Sequence, residues 1–178
     1  APAGSCEACH GSGHSAQQDL YAGVGGRGVP RMPGPMFSAG VTCQGCHSAA
    51  FATQVASTES MGPHTQQASD VSCMSCHGPA YRQIYAGWKE GVDTRATALR
   101  KQLEASAGVM GLEPPKPWED ARHNFQLVDR GKGVHNVFYA ADLLKLSNGW
   151  LDEALPLLGK PPLKSDDALV RGGYCAVL

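Results

Sequence analysis

The sequence predicts a mainly α-helical chain with extensive irregular loops, divided into two stretches of different character. Fourteen of the 15 Leu residues lie from Leu99 onward, and only Leu20 precedes it. By contrast, fourteen of the 22 Gly residues lie before residue 99. No stretch alternates apolar and polar residues in the way that is typical of a β-strand. We therefore expect loops with short helical pieces in the first stretch and conventional helices in the second.

The first 80 residues contain few packing residues and many chain-bending ones. The segment from Gly23 to Pro35 is rich in Gly and Pro and is predicted to be irregular. A short helix is predicted within residues 54–67, interrupted by Gly62-Pro63.

The first conventional helix is predicted from Thr94 to Ser106. Leu99 and Leu103 lie four residues apart in it, with basic residues between them, and Gly108 is the predicted stop. The Pro-rich residues 113–117 follow as a stiff linker.

Two further helices are predicted behind the linker. The first has Pro117 in its first turn and Gly131 as its stop. Its apolar stripe consists of Trp118, Ala121, Phe125 and Val128. The second is predicted to begin near Val134 and to run through Leu144 to Asn148-Gly149.

Six of the seven Cys residues fall into three copies of the pattern C-x-x-C-H, at residues 6–10, 43–47 and 73–77. This spacing is the attachment signature of c-type haem, in which two thiols bond to the vinyl groups and the adjacent His binds the iron. We therefore predict three covalently attached haem c groups. The predicted attachment residues are Cys6, Cys9, Cys43, Cys46, Cys73 and Cys76, and the predicted proximal ligands are His10, His47 and His77.

Two other uses of C-x-x-C explain the pattern less well. Structural zinc takes four ligands, and three Cys pairs do not divide into closed sites. Zinc also leaves the His after each second Cys unexplained. A thioredoxin-like motif is expected once, within a βαβ unit.

Haem also accounts for the low content of apolar side chains. Leu, Ile, Val and Phe make up 32 of the 178 residues, which is below the level of about 20% that accompanies disorder. Each macrocycle is a large apolar plate that can replace a side-chain core. We expect a small multihaem cytochrome c fold with the haems as its core. Residues 1–112 are predicted as the haem-attachment region, and residues 113–178 as a helical region that supplies a distal ligand and packs with the first.

Four His residues remain as candidates for the distal positions, and three irons need at most three of them. His14 lies four residues after His10 and is expected to bind the iron of a neighbouring haem. His64 lies nine residues before Cys73 and is a second candidate. His123 faces away from the stripe of its helix, so solvent is expected there. Periodicity alone leaves His135 undecided.

The segment Gly133-Val134-His135-Asn136, followed by Tyr139-Ala140 and Leu143-Leu144, resembles a segment of the cytochrome c nitrite reductase and related multihaem cytochromes. The resemblance implies that His135 is an axial haem ligand. The placements of His14 and His64 are similar to those of distal ligands in multihaem cytochromes.

The chain departs from the nitrite reductases in two respects. Those enzymes carry more haems, and their catalytic haem usually has Lys in place of the motif His. Here His follows all three motifs and no C-x-x-C-K occurs. Nitrite reduction is therefore not expected from the resemblance.

The expected function is electron transfer by three haems with bis-His ligation and low potentials, in exchange with other redox proteins or cytochromes. One His/Met haem remains an alternative for the ligation. The alternative function is a reductase of a small nitrogen or sulfur oxo-species at one open haem iron, with His123 as acid or base.

Thioether attachment of haem takes place outside the cytoplasm, so we expect a periplasmic or extracellular protein. No stretch reaches the ~18 apolar residues of a membrane span, and no basic patch indicates nucleic acid. We expect either a processed chain or one module of a larger multihaem assembly. Cys175 is expected to be a free or intermolecularly paired thiol.

Overall fold

A computed structural model describes residues 15–43, 45–47, 68 and 70–162, and every regular element in this part of the chain is helical. The predicted mainly α fold with irregular loops is thus confirmed. A 3-10 turn at Gly133–His135 joins the last two helices. The α-helices are α1 (Ser15–Ala22), α2 (Pro35–Ser38), α3 (Asp70–His77), α4 (Tyr81–Met110), α5 (Lys116–Gly131) and α6 (Val137–Leu157).

The hydrophobic core lies between the three long helices. Helices α5 and α6 pack along each other, α4 packs against both, and α1 covers α5. Leu20 is the one buried Leu that comes from the glycine-rich stretch. The largest buried apolar side chains of the helices include Leu99, Leu103, Trp118, Val128, Tyr139, Leu143, Leu144 and Leu151.

Helix α4 is longer than predicted, since it begins at Tyr81 rather than near Thr94 and ends before Gly111 rather than at Gly108. The prediction followed Leu residues and missed an aromatic and β-branched stripe at helical spacing, which includes Tyr81, Trp88 and Val92. Gly108 lies inside the helix, where space is open around it.

The predicted helix behind the linker is confirmed as α5, with Pro117 in the first turn and Gly131 as its last residue. Helix α6 begins at Val137, not Val134, because Asn136 caps it: the Asn136 side chain accepts a hydrogen bond from the Tyr139 N–H at 3.2 Å. The helix also continues through Gly149 to Leu157.

The loop at 23–34 is irregular, as predicted, yet it is fixed by hydrogen bonds to the core helices. The Asn124 side chain accepts from the Arg27 N–H at 2.8 Å and donates to the Arg27 carbonyl at 3.0 Å. The Tyr139 hydroxyl accepts from the Gly26 N–H at 3.0 Å. At Gly23 (φ +66°) a Cβ would lie 1.9 Å from the Met32 carbonyl oxygen, so only glycine fits there.

No helix in the described ranges is both long and apolar enough to cross a membrane. The helix predicted within residues 54–67 and the segment that contains Cys175 lie outside the described residues.

Candidate haem-binding site

The described residues include the second motif, the third motif and one candidate distal ligand. Cys43, Cys46 and His47 lie in a short helical stretch, and Cys73, Cys76 and His77 lie on α3. His135 ends the 3-10 turn before α6. The other predicted site residues lie outside the described part of the chain: Cys6, Cys9, His10, His14 and His64.

The second motif is held on its N-terminal side by α1. The Tyr21 hydroxyl donates to the Val41 carbonyl at 2.7 Å, and the Tyr21 ring packs edge-on against Phe37 with centroids 5.4 Å apart. Burial, with smaller contributions from negative charge on the nearby Cys46 and Cys43 sulfurs, raises the pKa of Tyr21 to about 12. The phenol is therefore a proton donor at neutral pH.

The third motif is held by α4. The Arg82 side chain pairs with Asp70 at 2.5 Å across the gap between α3 and α4. At the other end of α3, the His77 imidazole stacks on the Tyr81 ring, with centroids 4.1 Å apart and an interplanar angle of 17°. Tyr81 thus covers one face of a predicted proximal ligand and limits how that ring can turn.

The second and third motifs lie next to each other. The Ser72 hydroxyl on α3 donates a hydrogen bond to the carbonyl oxygen of Cys46 in the second motif. Before haem is attached, burial raises the pKa of the Cys46 thiol, and negative charge on the neighbouring Cys73 and Cys76 sulfurs adds to that increase. Two predicted haem attachment points are therefore close in space although they are distant in sequence.

His47 of the second motif and His135 lie opposite each other. Their rings are nearly parallel, with an interplanar angle of 18°, and their centroids are 6.2 Å apart. An ordinary aromatic pair also falls in this range of distance. However, an iron bound by two imidazole nitrogens at about 2.0 Å each would place the centroids about 6 Å apart. The distance between the two ring centroids is therefore compatible with a shared haem iron.

The hydrogen bonds of His135 leave its other nitrogen ready to bind a metal. The Nδ1 atom lies 2.7 Å from the Gly131 carbonyl oxygen and 3.0 Å from the Lys132 carbonyl oxygen. Because a carbonyl can only accept, Nδ1 carries a proton, and in the neutral imidazole Nε2 then keeps its lone pair. Metal-binding His residues in proteins are commonly oriented by such a bond.

The turn that carries His135 is fixed by close packing and by its cap. A Cβ on Gly131 would lie 2.5 Å from the Ala16 carbonyl oxygen, so the chain here lies directly against α1. Lys132 has φ +54°, the only positive φ of a non-glycine residue in the described ranges. On the other side, the buried Asn136 side chain donates to the Met32 carbonyl at 2.7 Å. The chain is thus tied to the rest of the fold both before His135, at Gly131, and after it, at Asn136.

His123 occupies a different environment from the one expected. It is half-buried, and its Nε2 donates to the Gly25 carbonyl at 2.8 Å. The expectation of a solvent-facing ring missed this contact, since the loop that provides it is distant in sequence. His123 supports the loop at 23–34.

Sequence reasoning also missed a chain of aromatic rings that begins at His77. The Tyr81 and Trp88 rings meet edge-on with centroids 6.3 Å apart, and Trp88 meets Phe138 at the same distance. The seven-residue spacing of Tyr81 and Trp88, two turns of one helix, was the available signal. This chain links the third motif to the start of α6, three residues beyond His135.

In the described ranges, no group of three or more His, Cys, Asp or Glu side chains lies close enough together to bind a metal ion. A haem iron needs only two protein ligands, so the His47–His135 pair fits it without such a cluster.

Comparisons with known proteins agree with the haem motifs. Residues 34–98, which carry the second and third motifs, match the family described as cytochrome c7 and related cytochrome c. This match covers 65 of the 178 residues. A comparison with curated proteins gives no match.

The fold is similar to that of a solved structure, the outer cell wall cytochrome OcwA. The TM-score is 0.56 at 22% sequence identity, over 75% of this chain and 29% of that chain. The chain thus spans less than a third of that protein, and the likeness concerns the fold. The resemblance to the nitrite reductase group stays a prediction. Taken with the C-x-x-C-H motifs, the family match and the fold support a multihaem c-type cytochrome.

Proposed function

We propose that the chain is an electron-transfer cytochrome with three haem c groups and bis-His ligation, and that His47 and His135 are the two axial ligands of the second haem. The observation that carries the proposal is the geometry of these two rings, which are nearly parallel with centroids 6.2 Å apart. The Nδ1 hydrogen bonds of His135 support it independently, because they leave Nε2 unprotonated.

Haem iron, when bound, alternates between ferric and ferrous states and so takes up and releases single electrons. The protein side of this function is to hold both axial positions. Two neutral imidazoles favour a low potential compared with a His/Met pair. Two imidazole ligands also leave no open position on the iron for a substrate. The ligand pair therefore suits electron transfer rather than catalysis.

His14 and His64 complete the proposal as distal ligands for the irons of the first and third motifs, with His14 on the iron of a motif other than its own. His10 and His77 are the proximal ligands there. The supply of histidines supports this assignment: the chain has seven, six of them serve three irons, and His123 is left. The Nε2 atom of His123 is already engaged by the Gly25 carbonyl.

The proposed partners are other redox proteins or cytochromes outside the cytoplasm. The family match and the fold likeness to an outer cell wall cytochrome support this location. Because this chain spans 29% of that cytochrome, we also propose that it acts as one module in a larger multihaem assembly.

The test is the optical spectrum of the reduced holoprotein with and without carbon monoxide, together with a haem count by mass. We expect three haems and no shift of the Soret band, because all irons are six-coordinate with strong ligands. A shift in about one third of the haem would reveal an open iron and would favour the alternative, a reductase of a small nitrogen or sulfur oxo-species.

A further inference from the structure

We infer that Ser72 is a positioning residue that fixes the second and third haem motifs relative to each other, and with them the distance and orientation between the two irons. The inference rests on the proposed function, in which both motifs carry haem. Its basis is the hydrogen bond from the Ser72 hydroxyl to the Cys46 carbonyl. This bond joins the residue before Cys73 to a haem-attachment residue of the other motif.

Ser72 is buried, whereas the other residues of α3 are not. It is 5% exposed, whereas Ser75, Cys76 and His77 on the same helix are exposed. A buried hydroxyl needs a hydrogen-bond partner, and the partner here belongs to a segment 26 residues away. Ser72, the only buried residue of α3, is thus the one that contacts the second motif.

The hydrogen bond from Ser72 connects the second motif to a helix that is itself held in place by other contacts. Helix α3 is held on α4 by the Arg82–Asp70 ion pair and by the His77–Tyr81 stack. Through Ser72, this support extends to the Cys46 backbone and thereby to the adjacent His47. The second motif is then tied on both sides, since Tyr21 holds Val41 from α1.

A purely local role is the plain alternative. In that role, the Ser72 hydroxyl would only supply a donor to the Cys46 carbonyl oxygen. In that case, loss of the hydroxyl would lower stability and leave the relation between the haems unchanged. The two roles therefore differ in a spectroscopic property of the haem pair.

The experiment uses the ferric holoprotein and the dipolar broadening of its low-spin EPR signals, which depends on the distance and angle between neighbouring irons. Ser72→Ala is expected to change this broadening. Ser38→Ala is the control, because the Ser38 hydroxyl also donates to a backbone carbonyl, that of Gly34 at 3.1 Å, but lies outside both motifs. It is expected to give the wild-type spectrum. An unchanged spectrum for Ser72→Ala would overturn the inference.

A second pair of variants keeps the test decisive if Ser72→Ala folds poorly. Ser72→Thr and Ser72→Val have nearly the same shape, but only Thr retains the hydroxyl. We expect Thr to preserve the wild-type broadening and Val to change it, and equal spectra for the two would overturn the inference. Haem is counted in the wild type first: a protein without haem at both motifs contradicts the proposed function, independently of any Ser72 result.

Discussion

The Nδ1 atom of His135 lies 2.7 Å from the carbonyl oxygen of Gly131, four residues earlier in the chain. This bond assigns the proton of the imidazole to Nδ1 and fixes the ring against the end of α5. The ring that results lies parallel to His47, at the spacing of a ligand pair. A backbone carbonyl, which substitution of a side chain cannot remove, thus orients the proposed distal ligand of the second haem.

Replacement of His135 is predicted to open one iron. In reduced His135→Ala we expect carbon monoxide to shift the Soret band of about one third of the haem, because one of three irons loses its distal ligand. His123→Ala is the control and should bind no carbon monoxide, since His123 is engaged with the Gly25 carbonyl. His135→Met should stay six-coordinate and raise one reduction potential. A His135→Ala protein inert to carbon monoxide would contradict the proposed ligation.

Any side chain at Gly131 is predicted to lower the stability of the fold. An added Cβ would lie 2.5 Å from both the Ala16 carbonyl oxygen and a Leu20 methyl group, so α1 must move or the turn before His135 must shift. We expect Gly131→Ala to lower the free energy of unfolding by about 1–3 kcal/mol, the usual cost of overpacking. Denaturant unfolding followed by circular dichroism measures it.

Gly149 provides the matched control for this substitution. It also lies in a helix, but nothing stands within 4 Å of an added Cβ. Gly149→Ala should therefore raise the free energy of unfolding by about 0.5–1 kcal/mol, the helix preference of Ala over Gly. Similar losses of stability in both variants would show that close packing at Gly131 is not the cause.

Local signals in the sequence were enough to predict most of the long helices, and the predicted attachment residues also rest on a local signal. The C-x-x-C-H spacing is a property of five adjacent residues, and the apolar stripe of α5 needs only helical periodicity. The His47–His135 pair is different, because it depends on how α5 and the second motif pack across the fold. His135 flanks its stripe, so periodicity left it open, and only the family resemblance indicated a ligand. The contacts of Ser72 and His123 are likewise long-range and have no local signature.

Tyr81 is predicted to set the orientation of the His77 ring. The two rings stack with centroids 4.1 Å apart, and α4 holds Tyr81 in place. Tyr81→Phe keeps a flat ring and should leave the low-spin EPR signals of the ferric protein unchanged. Tyr81→Leu keeps apolar bulk without the flat face, so the g values of one haem should shift and its signal should broaden. The same spectrum for Leu and Phe would exclude an orienting role for the stack.

Asp120 is predicted to make stability depend on pH in the acid range. Its side chain, 10% exposed, pairs with Arg27 at 2.7 Å and with Lys116. The hydrogen bond from Lys116, together with the Arg27 guanidinium, holds the pKa of Asp120 below its usual range despite the opposing effect of burial. Because the folded state has the lower pKa, the stabilisation is complete above the unfolded-state pKa of about 3.9. It is lost as the pH falls through the pKa of the folded state.

The measurement compares wild type with Asp120→Asn by urea unfolding from pH 7 to pH 3. At pH 7 we expect the variant to be less stable by about 1 kcal/mol, since both cations are largely solvated and the ion pairs are screened. The difference should be constant down to about pH 4 and should narrow below it, as the wild-type carboxylate takes up its proton. Glu119→Gln, at the neighbouring exposed position of α5, controls for the loss of one negative charge. A difference that persists unchanged to pH 3 would mean that the ion pairs of Asp120 do not stabilise the loop at 23–34 against α5.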